Sequence, residues 1–274
     1  MFVFIVPLRS PETCNDWAKV SALCNGTLHS LLDQSSPNYH IILVCNVPPI
    51  DFVPHPRISV IQESFPVPNS LTDRFGDIYL KIKRGMLAIK QLQLVQKHSD
   101  TFVMRVDADD LVSNRLVAFT EKHPYADGWF FASGYIHEVG SNHLFLHPQF
   151  MSVSGTSHII RCNYADFPDS MDVPATEWLD PIWQHLNVNS LLESRGKKLR
   201  SLPFAGAVYQ INFQNVSATH LNNIRFSSMK AAIWKALFKR KITSIIIKEF
   251  GFCQSTIEGV LSLDEASPHP WAID

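Results

Sequence analysis

The sequence predicts an α/β fold, a single domain with a mostly parallel central sheet covered by helices. Continuous apolar runs at Phe2–Val6 and His40–Cys45 are typical of strands that are buried on both faces. Between them, apolar residues recur at steps of three and four over Asn15–Asp33, which is the pattern of a helix with one buried face. Strands that alternate with helices favour a parallel sheet, because parallel neighbours need a crossover connection.

The same alternation continues through the first hundred residues. A short apolar run predicts a third strand at Ile58–Ile61, and a segment with several prolines predicts a loop over 62–75. Apolar residues at helical spacing from Ile78 to Leu92 predict a second long helix, and Thr101–Val106 predicts a fourth strand. Ligands of such sheets bind beyond the carboxyl ends of the strands, so the residues that follow each strand are the first candidates for a site.

The second half of the chain is less regular. It predicts a hairpin over 129–146 with its turn at 140–142, followed by a polar loop over 163–175. It then predicts a helix over 177–186, a strand over 199–209 and a basic amphipathic tail over 228–250. We expect one domain over 1–225, with halves 1–112 and 113–225, and a helical tail over 226–274.

Composition excludes several classes of protein. Apolar residues make up 46 % of the 274 residues and charged residues 18 %, which is typical of a chain with a packed core. A formal net charge of −1 gives no overall field for binding nucleic acid. Five cysteines without any CxxC pair favour buried free thiols in a reducing compartment over zinc ligands. The N-terminal run lacks a basic flank and no apolar stretch is long enough to span a bilayer, so we expect a cytoplasmic protein.

The strongest candidate for chemistry is an acidic turn directly after the fourth strand. Asp107, Asp109 and Asp110 bring three carboxylates together, and a divalent cation would relieve their repulsion. Carboxylate oxygens suit Mg²⁺ or Mn²⁺, which usually keep waters and share substrate phosphates. The competing interpretation is a solvated turn in which Asp110 caps a helix that starts at Ser113. The position at a strand end favours the metal site.

Several motifs accompany this turn in a fixed order. They are Phe4–Pro7 at the first strand, Leu28–Gln34 at the end of the first helix, Ile41–Val44, Lys81–Gly85 and Met104–Asp110. In this order and spacing they resemble the GT-A glycosyltransferases, and most of all glycosyltransferase family 2. The resemblance is good over residues 1–120 and weak over 127–220, and it does not cover the tail. It implies a GT-A-like nucleotide-diphospho-sugar transferase fold, with a nucleotide-sugar half at 1–112 and an acceptor half at 113–225.

The resemblance also implies a reaction. A nucleotide-sugar donor would transfer one sugar to an acceptor hydroxyl with inversion, and Mn²⁺ or Mg²⁺ would neutralise the diphosphate leaving group. The family's roles pass to Asp107, which would face the ribose or the metal waters beside Ala108, and to Asp109, which would bind the metal. Arg105 could neutralise Asp107 instead of contacting substrate.

Other donor contacts are expected at the strand ends and on the second helix. Pro7, Arg9, Asn46 and Glu63 are candidates for the nucleotide base, with Arg9 alternatively on a phosphate, and Lys81 and Arg84 are candidates for the pyrophosphate. For each of them the competing interpretation is an ordinary surface or helix position. The segment Gly155–His158 resembles the small-residue segment that borders the family's acceptor cleft.

The base that accepts the proton of the acceptor hydroxyl has two candidates. The family places a pair of carboxylates at this point, whereas this chain has Glu177 and Asp180 separated by two residues. Because Pro181 follows Asp180, that aspartate is also a candidate helix cap, with Glu177 facing the cleft.

The third metal ligand is also open. The segment Val208–Ser217 resembles a late family motif that supplies a histidine, but Asn212 stands at the histidine position and His220 follows as a substitute. The signature of processive polysaccharide synthases is missing, which favours a single transfer.

Two further interpretations remain beside the active transferase. At Glu177 and Asn212 the sequence departs from the family's motifs, so the protein could instead be an inactive relative that binds sugar nucleotide or glycan. A nucleotidyltransferase would need a glycine-rich loop after the first strand, and Pro7–Pro11 contains no glycine.

The segment 229–241 is basic on one side and apolar on the other, which suits peripheral contact with a membrane and a lipid-linked acceptor, or packing as an ordinary terminal helix.

Overall fold

A computed structural model describes residues 1–173, 187–211 and 237–252. The described strands, in chain order, are β1 Phe2–Pro7, β2 Tyr39–Cys45, β3 Ile58–Gln62, β4 Thr101–Arg105, β5 Leu111–Val112, β6 Gly128–Phe130, β7 Gly134–Glu138, β8 His143–His147, β9 His158–Cys162, β10 Arg200–Ser201, β11 Ala207–Ile211 and β12 Lys239–Lys241. The α-helices are α1 Trp17–Leu32, α2 Leu71–Gln91, α3 Leu116–Glu121, α4 Val188–Ser194 and α5 Ser244–Phe250. Short 3₁₀ turns lie at Pro11–Thr13, Phe150–Ser152 and Tyr164–Asp166.

The central sheet has seven strands in the order β10-β6-β9-β4-β1-β2-β3. β1 lies between β2 and β4 and is parallel to both, with Ile5 opposite Ile42 on one side and Arg105 on the other. β9 is antiparallel to both of its neighbours, and the other six strands run in one direction. The mostly parallel α/β sheet predicted from the sequence is therefore confirmed.

The helices begin where capping side chains satisfy the first free N–H groups. Asp16 caps α1 by accepting from the backbone N–H of Lys19. Ser70 caps α2 in the same way, by accepting from the N–H of Asp73. Because of this cap, α2 begins at Leu71, inside the segment predicted as a loop, and the apolar periodicity of Ile78 to Leu92 marks only its packed portion.

A second sheet of five strands carries the other half of the fold, in the order β12-β8-β7-β11-β5. The predicted hairpin is present as β7 and β8, and Gly140 turns it with a φ of 93°. The predicted strand over 199–209 is wrong as one element. Its first part, β10, pairs with β6 in the central sheet, and its last part, β11, pairs with β7 in the second sheet, so the chain crosses between the sheets at 202–206.

The described part of the predicted tail belongs to the second sheet. β12 pairs with β8, although a helix was expected there. α5 follows, capped by Thr243 and ended by Gly251 at a φ of 63°. Its Ile246, Ile247 and Phe250 pack with Leu111 and Leu144 of the sheet. The predicted helix over 177–186 lies outside the described residues, as do residues 226–236 and 253–274.

Two features of composition can be compared with the structure. Cys24, Cys45 and Cys162 are buried free thiols and Cys14 is a partly buried one, as predicted, whereas Cys253 lies outside the described residues. In the three ranges that the structure describes, every helix is too short or too polar to cross a bilayer.

Candidate functional site

The carboxyl ends of β4, β1 and β2 lie side by side, and this edge of the sheet holds most of the predicted site. The adjacency continues past the strands, because Val106 donates its N–H to Ile5 O at 2.9 Å and Leu8 donates to Val44 O at 2.9 Å. The chain therefore brings the acidic turn, Arg9 and Asn46 to one edge, where open parallel sheets bind ligands.

Asp107 is held by an arginine from its own strand. Arg105 donates from Nε and Nη2 to Asp107 Oδ1 at 2.9 and 2.6 Å. The Arg105 side chain is only 9 % exposed, whereas Asp107 is 27 % exposed. The backbone N–H of Asp107 donates to Thr156 Oγ1 at 2.9 Å. The structure thus supports the interpretation that Arg105 neutralises Asp107.

A glycine makes room for this pair. A Cβ on Gly155 would lie 2.6 Å from Arg105 Cζ and 2.8 Å from Asp107 Oδ2. Any larger residue at 155 must displace the guanidinium or the carboxylate. The segment Gly155–His158, predicted to border the acceptor cleft, therefore backs the acidic turn.

Asp110 does not cap a helix, and that interpretation of the turn is wrong. It is fully buried, accepts from Ser154 Oγ at 2.9 Å, and accepts from the backbone N–H of Gln210 at 3.4 Å. Burial raises the pKa of Asp110 well above its ordinary value, and the charges of Asp109 and Asp107 raise it further. Asp110 therefore joins the turn to the second sheet and has no surface for a ligand.

Asp109 directly precedes the buried Asp110 in the turn. Its backbone carbonyl accepts from Gln210 Nε2 at 2.7 Å, and its side chain is partly exposed. Arg9 is close enough for their charges to interact. Burial lowers the pKa of Arg9, and the negative charges of Asp109 and Asp77 oppose that shift. Arg9 also donates to Thr13 Oγ1 at 3.1 Å, which fixes the loop after β1.

Asn46 has one half of its amide fixed and the other half unpaired. Its Nδ2 donates to Phe65 O at 2.8 Å, which sets the orientation of the amide. Its Oδ1 is buried and has no hydrogen-bond partner among the residues that the structure describes. Pro7 is buried at the end of β1, and Ala108 is partly exposed in the acidic turn.

The three remaining donor candidates are engaged with other side chains. Lys81 is fully buried, and its Nζ lies 2.8 Å from both carboxylate oxygens of Asp77. Arg84 donates to Glu63 at 2.5 Å and to Gln91 at 3.0 Å. Lys81 and Arg84 were expected to contact a pyrophosphate. To do so, each would first have to break its ion pair with Asp77 or Glu63.

The carboxylates of the turn fit a hard divalent cation that other oxygens complete. Within the described ranges, no three His, Cys, Asp or Glu side chains converge as ligands. Asp107 and Asp109 are the partly exposed carboxylates of the turn, and Mg²⁺ is commonly held by one or two carboxylates together with waters and phosphates. The residues present therefore suit a cation that arrives with a phosphate ligand.

The candidate bases Glu177 and Asp180 and the candidate ligand His220 lie outside the described residues. Sequence reasoning missed Ser154, Thr156 and Gln210, which hold the acidic turn from the second half of the chain. Thr156 and Gln210 lie in two segments, 155–158 and 208–217, that resemble family motifs, and Ser154 directly precedes the first of them.

The comparisons with known proteins give fold-level similarities of low score. No protein-family model and no curated protein matches the chain. Residues 1–349 of TarS from S. aureus superpose with a TM-score of 0.40 at 14 % identity, over 95 % of this chain and 70 % of that one. The 2-C-methyl-D-erythritol 4-phosphate cytidylyltransferase IspD from Francisella tularensis gives 0.40 at 13 % identity, over 81 % and 98 %. A 4-diphosphocytidyl-2C-methyl-D-erythritol synthase gives 0.37 at 12 %, over 81 % and 97 %. Scores this low carry no argument, so function has to be inferred from the site itself.

Proposed function

We propose that this chain is a metal-dependent glycosyltransferase that moves one sugar from a nucleotide-sugar donor to an acceptor hydroxyl, with inversion and without processive synthesis. The observation that carries the proposal is the acidic turn at the carboxyl edge of the central sheet. Asp107 and Asp109 are partly exposed there, on the edge that also carries Arg9 and Asn46. In a bound nucleotide-sugar, the carboxylates would suit the cation, the guanidinium would suit the diphosphate, and the amide would suit the nucleoside.

Each side chain has a role in this proposal. Asp109, with Oδ2 of Asp107, would hold Mn²⁺ or Mg²⁺, which supplies positive charge to the diphosphate as it leaves. Arg9 would contact a phosphate, since its guanidinium already lies near Asp109. Asn46 belongs to the end where the nucleoside would bind, with Pro7 and Glu63 beside it.

Proton transfer from the acceptor is assigned by the sequence alone. An inverting transfer needs a carboxylate that accepts the proton of the attacking hydroxyl, and Glu177 or Asp180 would take that role. Replacing each in turn by its amide distinguishes them: the base is the residue whose loss lowers kcat while donor binding is kept. His220 is proposed as a further metal ligand on the same footing.

Ligand-induced stabilisation tests the donor site directly. The wild-type protein and Asp109→Ala are melted with Mn²⁺ and, in turn, UDP, GDP, dTDP and CMP. A ligand at 100 times its dissociation constant adds about 2.7 kcal/mol to the unfolding free energy. We expect one nucleotide to stabilise the wild type only when Mn²⁺ is present, and the variant to lose that effect. Equal melting temperatures under all conditions would remove the support for a donor site.

The alternative is an inactive relative that binds sugar nucleotide or glycan. It predicts the same nucleotide-dependent stabilisation without any release of sugar from the donor, so the two are separated by product analysis. The acceptor is proposed to be a glycan or a lipid-linked sugar, and the protein to be cytoplasmic with peripheral membrane contact through 229–241. Of that segment, Leu237 is exposed and Lys239–Lys241 forms a fully exposed edge strand, which suits contact with an anionic surface.

A further inference from the structure

The Arg105–Asp107 pair is unusual for a carboxylate that is expected to serve a cation. Two contacts of the guanidinium fall on the same oxygen, Asp107 Oδ1, at 2.9 and 2.6 Å. That oxygen is therefore already engaged by a positive charge in the protein without a metal. The other oxygen, Oδ2, lies close to Gly155, where an added Cβ would be 2.8 Å from it.

The pair is also enclosed, so its geometry is fixed. Arg105 is 9 % exposed, and the Cα of Gly155 packs so closely that even a methyl group there would meet both partners. The N–H of Asp107 is fixed by Thr156 at 2.9 Å. A guanidinium that is nine-tenths buried cannot exchange its partner for water, so its charge acts on the turn with little screening.

The other two carboxylates of the turn do not offer a cation a stronger site than Asp107 does. Asp110 is closed off by Ser154 and by the Gln210 N–H. Asp109 has the positive charge of Arg9 nearby. A free divalent cation thus meets two reachable carboxylates, each of which has an arginine beside it.

We propose that Arg105 is a positioning residue that lowers the affinity of the acidic turn for a free divalent cation, so that the cation binds tightly only together with the diphosphate of the donor. This inference rests on the proposed function. Removal of Arg105 releases Asp107 Oδ1 and takes away one positive charge, so the turn without nucleotide gains affinity for the cation.

The test is Mn²⁺ binding, measured by the loss of the free-ion electron paramagnetic resonance signal, with Mn²⁺ alone and with Mn²⁺ plus the nucleotide that stabilises the wild type. We expect Arg105→Met to bind Mn²⁺ alone at least about tenfold more tightly than the wild type, which corresponds to about 1.4 kcal/mol. Arg105→Lys keeps the charge and is expected to stay within about twofold of the wild type.

Two further variants keep the test independent of folding. Gly155→Ala changes no charge, but its Cβ has to displace the Arg105 guanidinium or the Asp107 carboxylate and so loosens their pair, and it is expected to raise the affinity for Mn²⁺ alone. Arg161→Met removes another ion-paired arginine, one that contacts Asp100 and Asp127 instead, and is expected to have no effect.

The outcomes separate this inference from the proposed function. If the wild type binds Mn²⁺ with nucleotide but neither Arg105→Met nor Gly155→Ala gains affinity for Mn²⁺ alone, the role of Arg105 is wrong and the transferase site stands. A loss of Mn²⁺ affinity in Arg105→Met would equally overturn the inference. If no variant binds Mn²⁺ with or without any nucleotide, both proposals fail.

Discussion

The ion pair between Lys81 and Asp77 lies inside the protein, and its removal has a calculable cost. The side chains are 1 % and 6 % exposed, and Nζ lies 2.8 Å from both carboxylate oxygens. Burial lowers the pKa of Lys81, and the hydrogen bond and charge of Asp77 oppose that shift. Each of these two buried charges is therefore compensated by the other.

Single and double replacements of the pair should differ in their cost to stability. Lys81→Met or Asp77→Leu leaves one buried charge without its partner, and each is expected to cost about 3–5 kcal/mol. For a chain of this size, 3 kcal/mol corresponds to a fall in melting temperature of about 6–12 °C. The double variant Asp77→Leu/Lys81→Met removes both charges and is expected to recover most of that loss, because apolar replacement of a buried pair is often neutral or stabilising.

Urea unfolding of the four proteins provides the double-mutant cycle. The same proteins can be tested for nucleotide-dependent stabilisation, and we expect the double variant to keep it, since Lys81 is fully buried and its charge is already paired with Asp77. Single variants that each cost under about 1 kcal/mol, or a double variant as unstable as the sum of the two, would refute the reasoning. Loss of nucleotide binding in a stable double variant would restore Lys81 as a pyrophosphate ligand.

Other positions give simpler predictions. Gly128→Ala is expected to melt far below the wild type, because Gly128 has a φ of 140° and a Cβ there would lie 2.0 Å from Ile159 O. Its control, Gly26→Ala in the open outer face of α1, is expected to stabilise the protein by about 1 kcal/mol. Burial lowers the pKa of His137, so folding favours its neutral form, and stability should fall as the pH drops through about 6.5 and below. His137→Gln is expected to flatten that fall in pH-dependent melts, whereas a flat profile in the wild type, or an equal effect of the exposed His98→Gln, would contradict the assignment.

The first half of the fold could be predicted from the sequence because its signals are local. The strands β1, β2 and β4 are continuous apolar runs, and α1 has one apolar face, so each element is visible in its own residues. The capping of α2 by Ser70 was less visible, since prolines at 66 and 68 dominate that segment.

The second half could not be predicted in the same way because its elements are short and are defined by distant partners. The two-residue strand β10 exists only because β6 lies beside it, and β12 is a run of three charged residues held by β8. The role of Asp110 was also out of reach. Its partners Ser154 and Gln210 are 44 and 100 residues away, and only the packed structure brings them together.

The central claim is that the acidic turn serves the transfer of a sugar from a nucleotide-sugar. The most direct test incubates the wild type and Asp109→Asn with Mn²⁺ and a panel of nucleotide-sugars, and measures release of the nucleoside diphosphate by chromatography. We predict that the wild type releases a nucleoside diphosphate from one donor, faster with acceptor glycan present, and that Asp109→Asn does not. Equal release by both proteins, or formation of a nucleotide-sugar and pyrophosphate from a nucleoside triphosphate and a sugar phosphate, would contradict the claim.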